Sequence, residues 1–120
     1  MTLELLEKEY AVCRLKTQSL PSGEFVSLTV SGGEISLVCE AELAPRDSIA
    51  ETGWHGMRIS GILDFSLIGI LAGLTDTLAR AGVSVFAIST YDTDYLFIKS
   101  QNLQRAVQAL TAQGHTVIGY

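Results

Sequence analysis

Apolar and polar positions alternate with a period of two through the first part of the chain and with steps of three and four further on. In residues 10–15, Tyr10, Val12 and Arg14 fall on one side of an extended chain and Ala11, Cys13 and Leu15 on the other, which predicts a strand with one apolar face. Residues 18–24 carry Pro21, Ser22 and Gly23 and predict a turn-rich connection. Residues 25–30 and 35–39 are β-prone, and Ser31, Gly32 and Gly33 between them predict a hairpin. Pro45 and the polar residues 46–53 mark the end of this first half.

From Trp54 onward, strand and helix patterns alternate. Residues 54–63, with Trp54, Met57, Ile59, Ile62 and Leu63, predict a strand whose glycines Gly56 and Gly61 mark its ends or a bulge. Asp64 or Ser66 is placed to cap a helix in which Leu67, Leu71, Leu74, Leu78 and Ala81 share one face and Thr75, Asp76 and Arg80 lie toward another. Gly82 is placed to end that helix, because glycine tolerates the left-handed conformation required just past a helix. Residues 83–89 predict a strand, residues 90–93 a polar turn and residues 94–99 a further strand. Ser100 is a candidate cap for a second helix with Leu103, Ala106, Val107 and Leu110 on its apolar face; Gly114 closes it, and residues 115–118 are β-prone. The order β-α-β-β-α-β predicts a ferredoxin-like α+β fold, with two helices on one face of a four-stranded antiparallel sheet.

Composition narrows the function classes. The 120 residues are 48% hydrophobic and 18% charged without repetitive tracts, as in a globular chain. A net charge of −5, with eight scattered basic residues, argues against nucleic acid as a partner, because phosphate binding needs clustered Lys and Arg. The apolar run 61–74 is broken by Asp64 and falls short of the roughly 20 residues of a membrane span. The first ten residues alternate Leu with Glu and lack the basic and apolar regions of a signal peptide, so the expectation is a cytoplasmic protein with no membrane partner. Glu4, Glu7 and Glu9 read as a solvated run. Cys13 and Cys39 lack a C-x-x-C spacing and read as buried thiols. His55 and His115 do not occur in a metal-binding spacing, and neither a G-x-S-x-G element nor a phosphate-binding G-x-x-x-x-G-K-[ST] loop is present. The chain therefore reads as non-catalytic, with no cofactor and no metal.

Two segments are specific: the loop Gly61-Ile62-Leu63-Asp64-Phe65-Ser66-Leu67-Ile68-Gly69, and the run from Ala81 through Ser89-Thr90-Tyr91-Asp92-Thr93-Asp94-Tyr95. With the preceding Trp54 strand and the Gly114-His115 step, they resemble the ACT-domain group that includes small bacterial proteins, aspartate-kinase regulatory domains and cytosolic arginine sensors. The resemblance implies an ACT domain over residues 51–120. It implies that residues 1–50 form a degenerate, β-rich ACT-like half packed side by side with it. It also implies a regulatory small-molecule-binding protein, an amino-acid sensor, with a possible homodimer and a protein partner that the sequence does not name.

The site implied by the resemblance is Gly61, Ile62, Leu63, Asp64, Phe65, Ser66 and Leu67 on the helix-entry loop, with Ser89, Thr90, Asp92 and Asp94 around the turn. The chemistry agrees: unpaired amides at a helix N-terminus favour a carboxylate, and Asp92 or Asp94 can take an ammonium or guanidinium through a charge-assisted hydrogen bond. The plainer readings stay open. Asp92, Thr93 and Asp94 are ordinary turn residues, Asp64 and Ser66 ordinary caps, and Gly61 a residue for a bulge. The small residues Gly69, Ala72 and Gly73 suit a subunit contact or internal packing. The alternative function is a structural ACT-type association module without a ligand.

Overall fold

The computed structural model describes residues 1–63 and 68–120. Asp64, Phe65, Ser66 and Leu67 lie outside the described residues. Two compact units emerge: one comprises Met1–Glu7 and His55–Tyr120, the other Lys8–Trp54. Two strands contribute residues to each, β1 (Thr2–Arg14) and β4 (Ile49–Ile59). The remaining elements are β2 (Ser27–Ser31), β3 (Glu34–Glu40), α1 (Ile70–Arg80), β5 (Val85–Ser89), β6 (Asp94–Lys99), α2 (Leu103–Ala112) and β7 (Thr116–Ile118).

The larger unit has the expected β-α-β-β-α-β order in β4-α1-β5-β6-α2-β7. Its apolar centre joins Leu74 and Leu78 of α1 and Ala106 and Leu110 of α2 to Met57 and Ile59 of β4 and Leu96 and Ile98 of β6. These side chains are 0–1% exposed, so each is worth roughly 1.5–3 kcal/mol relative to full exposure where it is a Leu, Ile or Met. Both helices end as their glycines predict. Gly82 has φ +74° and Gly114 φ +88°. In each case the next residue's amide reaches back into the last turn, Val83 N to Leu78 O at 2.9 Å and His115 N to Leu110 O at 3.0 Å, closing a Schellman motif.

Three features of this unit differ from the sequence-based expectation. The sheet contains a fifth strand: residues 2–4 of β1 pair in parallel with β7, Thr2 opposite Thr116 and Glu4 opposite Ile118, and β1 neighbours β4 on its other side. Glu4, Glu7 and Glu9 are exposed as expected, and the segment that carries them is a strand. Its apolar residues Leu3 and Leu6 are buried at 0% and 8% exposure, while Glu4 and Glu7 point to water. Second, β4 begins at Ile49, within the segment expected to be a polar boundary. Third, α1 begins at Ile70, with Gly69 at the N-cap at φ +82° and no side-chain capping bond; the caps predicted at Asp64 and Ser66 fall on residues outside the description. The cap predicted at Ser100 is also displaced. Ser100 opens a short 3-10 turn, its hydroxyl bonds His55 Nε2 at 2.8 Å, and α2 follows from Leu103.

The smaller unit is built on strand pairs. β2 and β3 form the predicted hairpin, with Ser31 opposite Glu34 across Gly32 and Gly33, and β3 pairs antiparallel with β1 from Tyr10 opposite Glu40 to Arg14 opposite Ser36. Its core is Ala11, Cys13, Leu15, Leu37 and Cys39, the face that the period-two pattern assigned. Helical structure here is one 3-10 turn, Ala41–Leu43. Glu40 is 7% exposed and is satisfied by accepting the Glu24 amide at 2.8 Å. Cys13 and Cys39 are free and buried, as expected, and sit diagonally across the β1–β3 pair. Burial, then the adjacent Cys13 thiol, push Cys39 up to about 12. No helix among the described residues is long and apolar enough to cross a membrane.

Two tests address this packing. The native protein should leave both thiols unmodified by a disulfide thiol reagent at pH 8 and release both in denaturant, because the thiolate is the reactive species. Gly56 is buried, and a Cβ there would stand 2.8 Å from Leu6 Cδ1 and 2.9 Å from Phe97 Cε1. Gly56→Val should therefore cost about 1–3 kcal/mol in urea unfolding, the usual cost of overpacking; an unchanged midpoint would contradict the close approach.

Candidate functional site

The β5–β6 turn, the segment after β4 and the start of α1 come together at one end of the larger unit. Ser89 pairs with Asp94 at the hairpin's last register position. The turn beyond it closes on itself: the Thr90 amide donates to the Thr93 carbonyl at 2.8 Å, and the Thr90 hydroxyl donates to the same carbonyl at 3.1 Å. Thr93, 4% exposed, donates its own hydroxyl to the Ile59 carbonyl at 2.8 Å, tying the turn to the end of β4. Just beyond β4, the Leu63 amide donates to the Asp92 carbonyl at 2.7 Å. Leu63 and the hairpin turn are therefore held by backbone bonds as well as by packing.

Between this turn and the start of α1 lies a cleft of about 210 Å³. One wall is apolar: Leu63, with Ile70, Leu71 and Ala72 of the first helical turn following Gly69. The other is polar: Ser89, Thr90, Tyr91, Thr93 and Asp94. The first amides of α1 have no partner within the helix, since an α-helix leaves its initial N–H groups unpaired, and no acidic residue occupies its first turn. The cleft is thus bordered by the positive end of a helix dipole and by one carboxylate. Among the described residues the Asp94 carboxylate forms no ion pair.

Of the residues singled out by the sequence, Leu63, Ser89, Thr90 and Asp94 line this cleft. Gly61 and Ile62 are exposed and stand outside its lining, and Asp92 contributes its carbonyl to Leu63 while its side chain is exposed. Asp64, Phe65, Ser66 and Leu67 are outside the described residues. Sequence reasoning did not single out Ile70, Leu71, Tyr91 and Thr93 as lining residues, and it read Gly69 and Ala72 as part of a patch for a subunit contact or internal packing. A signal for Thr93 was present: a threonine three residues after another in a turn is placed for the reciprocal hydroxyl and backbone bonds seen here.

The described lining offers an apolar surface, hydroxyls and one carboxylate to a small molecule. A hydroxyl–imidazole contact joins Ser100 and His55; it is exposed and lies outside the cleft lining. No group of three or more His, Cys, Asp or Glu able to hold a metal occurs among the described residues.

Comparison with known proteins agrees with this fold. The ACT-domain family model matches residues 49–112, and the chain belongs to the ACT-domain family, a regulatory fold whose members bind small molecules such as amino acids. A protein from Agobacterium tumefaciens is similar over 98% of this chain and 91% of its own, with 30% identity and a TM-score of 0.88. A Vibrio cholerae protein of unknown function, described as a possible transport protein, is 24% identical over 92% of this chain and 88% of its own, with a TM-score of 0.73. The regulatory subunit of aspartate kinase from Thermus thermophilus shares the fold at 9% identity, over 92% of this chain and 94% of its own, with a TM-score of 0.65.

Thr93→Val keeps the shape and removes the hydroxyl, leaving the Ile59 carbonyl without that donor. It should cost about 1–3 kcal/mol of stability, the desolvation penalty of an unmade buried hydrogen bond. Hydrogen exchange should speed up at the Thr90 and Leu63 amides; unchanged exchange there would show that the turn is held by other contacts.

Proposed function

We propose that this chain is a non-catalytic regulatory protein that binds an amino acid in the cleft between the α1 N-terminus and the β5–β6 turn. The observation that carries the proposal is that the first turn of α1, whose initial amides have no partner within the helix, and Asp94 border one cleft. An α-amino acid presents the two complementary charges. Its carboxylate suits the amides and positive dipole end of α1, and its ammonium suits Asp94 and the neighbouring hydroxyls. The family membership supports the reading, since ACT domains are regulatory rather than catalytic. So does the likeness to a regulatory subunit of aspartate kinase.

The smaller unit is read as a degenerate ACT-like half that retains strands and has lost the helices. Signalling follows from linkage: occupancy changes association with a second copy, or with a protein partner, to the extent that the ligand prefers one state.

The test is thermal unfolding of the full chain against each of the twenty amino acids. A true ligand at about 100 times its dissociation constant adds roughly 2.7 kcal/mol of stability. Asp94→Asn should weaken that ligand at least about tenfold, roughly 1.4 kcal/mol, and leave the free protein within about 0.5 kcal/mol of its original stability. A free protein that unfolds on this substitution would assign Asp94 to the turn alone. No stabilisation by any amino acid, in a protein that still self-associates, would assign the fold to association without a ligand.

A further inference from the structure

The two walls of the cleft differ in kind, and the difference selects among amino acids. Once the ligand's α-carboxylate faces the α1 amides and its ammonium faces Asp94, the surface left for its side chain is Leu63, Ile70, Leu71 and Ala72. Leu63, Ile70 and Leu71 also pack against the buried core of this unit, so the wall is held in place and does not fold away from a ligand. From this geometry we infer that the ligand is an α-amino acid with an uncharged aliphatic side chain, an inference that rests on the amino-acid reading of the cleft.

Charge and size both point this way. Asp94 is the one acidic or basic side chain among the described lining residues, and the ligand's own ammonium takes it up. A lysine or arginine side chain would lose hydration against the apolar wall without a second carboxylate among the described lining residues to meet it. An aspartate or glutamate side chain would meet no cation among those residues and would lie in the field of Asp94. The volume of about 210 Å³ is below the roughly 300–1,000 Å³ of drug-sized sites, and it is a size suited to a short branched chain. Burying each methylene against the wall adds about 0.8 kcal/mol, so the wall rewards aliphatic carbon directly.

The test is calorimetric titration of the full chain with L-valine, L-leucine and L-isoleucine, set against L-lysine, L-arginine, L-aspartate and L-glutamate. At least one aliphatic amino acid should bind roughly tenfold or more tightly than every charged one. 4-Methylpentanoate, which lacks the ammonium, and 3-methylbutylamine, which lacks the carboxylate, should each bind at least about tenfold more weakly than leucine. Ala72 is exposed in the first turn of α1, where an added carboxylate is compatible with the helix dipole. Ala72→Glu should therefore fold, weaken leucine roughly tenfold, and improve lysine or arginine by offering the missing counter-charge. A charged amino acid binding as tightly as the aliphatic ones would overturn the side-chain assignment and leave the amino-acid cleft standing. No binding by any of the twenty would overturn the cleft reading itself. Leucine affinity unchanged in Ala72→Glu would place the ligand elsewhere and overturn the inference.

Discussion

Leu74 and Leu78 on one helix, and Ala106 and Leu110 on the other, close over Met57, Ile59, Leu96 and Ile98, and the position of the cleft in the larger unit follows from that contact. A sheet face of this composition cannot stay in water, and two helices of 11 and 10 residues are too short to be stable alone. Each requires the other. Once α1 lies on the sheet with Leu74 and Leu78 inward, its first turn has to arrive beside the end of β4 and the β5–β6 turn, and the cleft is the space left between them.

The polar side of that space is rigid because its bonds are largely internal. The Thr90–Thr93 turn satisfies its own backbone, and the buried Thr93 hydroxyl spends its proton on Ile59. Asp94 is left without an ion pair among the described residues, beside a helix start that has no side-chain cap. Elsewhere, Glu40 accepts an amide in the smaller unit, and Arg58 pairs with Glu4 at 3.3 Å. Helix amides without a partner inside α1 and a carboxylate without an ion pair among the described residues border one cleft, a charge pattern that a zwitterion complements.

The smaller unit shows the same economy without helices. Its core of Ala11, Cys13, Leu15, Leu37 and Cys39 lies on one face of a strand pair, backed by Val26, Leu28 and Ile35 and by the 3-10 turn at Ala41–Leu43. The two cysteines are packing residues. With the Cys39 thiol pushed up to about 12 by burial, chemistry that needs a thiolate is closed to it in the folded protein.

Most of the element order was legible in the chain because the signals involved are local. The face shared by Leu71, Leu74 and Leu78, the alternation around Cys13, and the glycines that end both helices act over a few residues and needed no partner to be recognised. Leu63, Ser89, Thr90 and Asp94, which line the cleft, lie in the two segments that resemble an ACT domain. What the chain by itself could not decide was pairing at a distance. The Leu and Glu alternation at the start already carries a strand pattern, but its role became plain only when Thr2 lay opposite Thr116, more than a hundred residues away. The entry of α1 at Gly69, the use of Ile70 to Ala72 as a wall, and the burial of Thr93 depend on where a helix and a hairpin meet. Periodicity specifies which face of an element is apolar; only the packed structure specifies which other element that face meets, and a binding cleft belongs to the meeting.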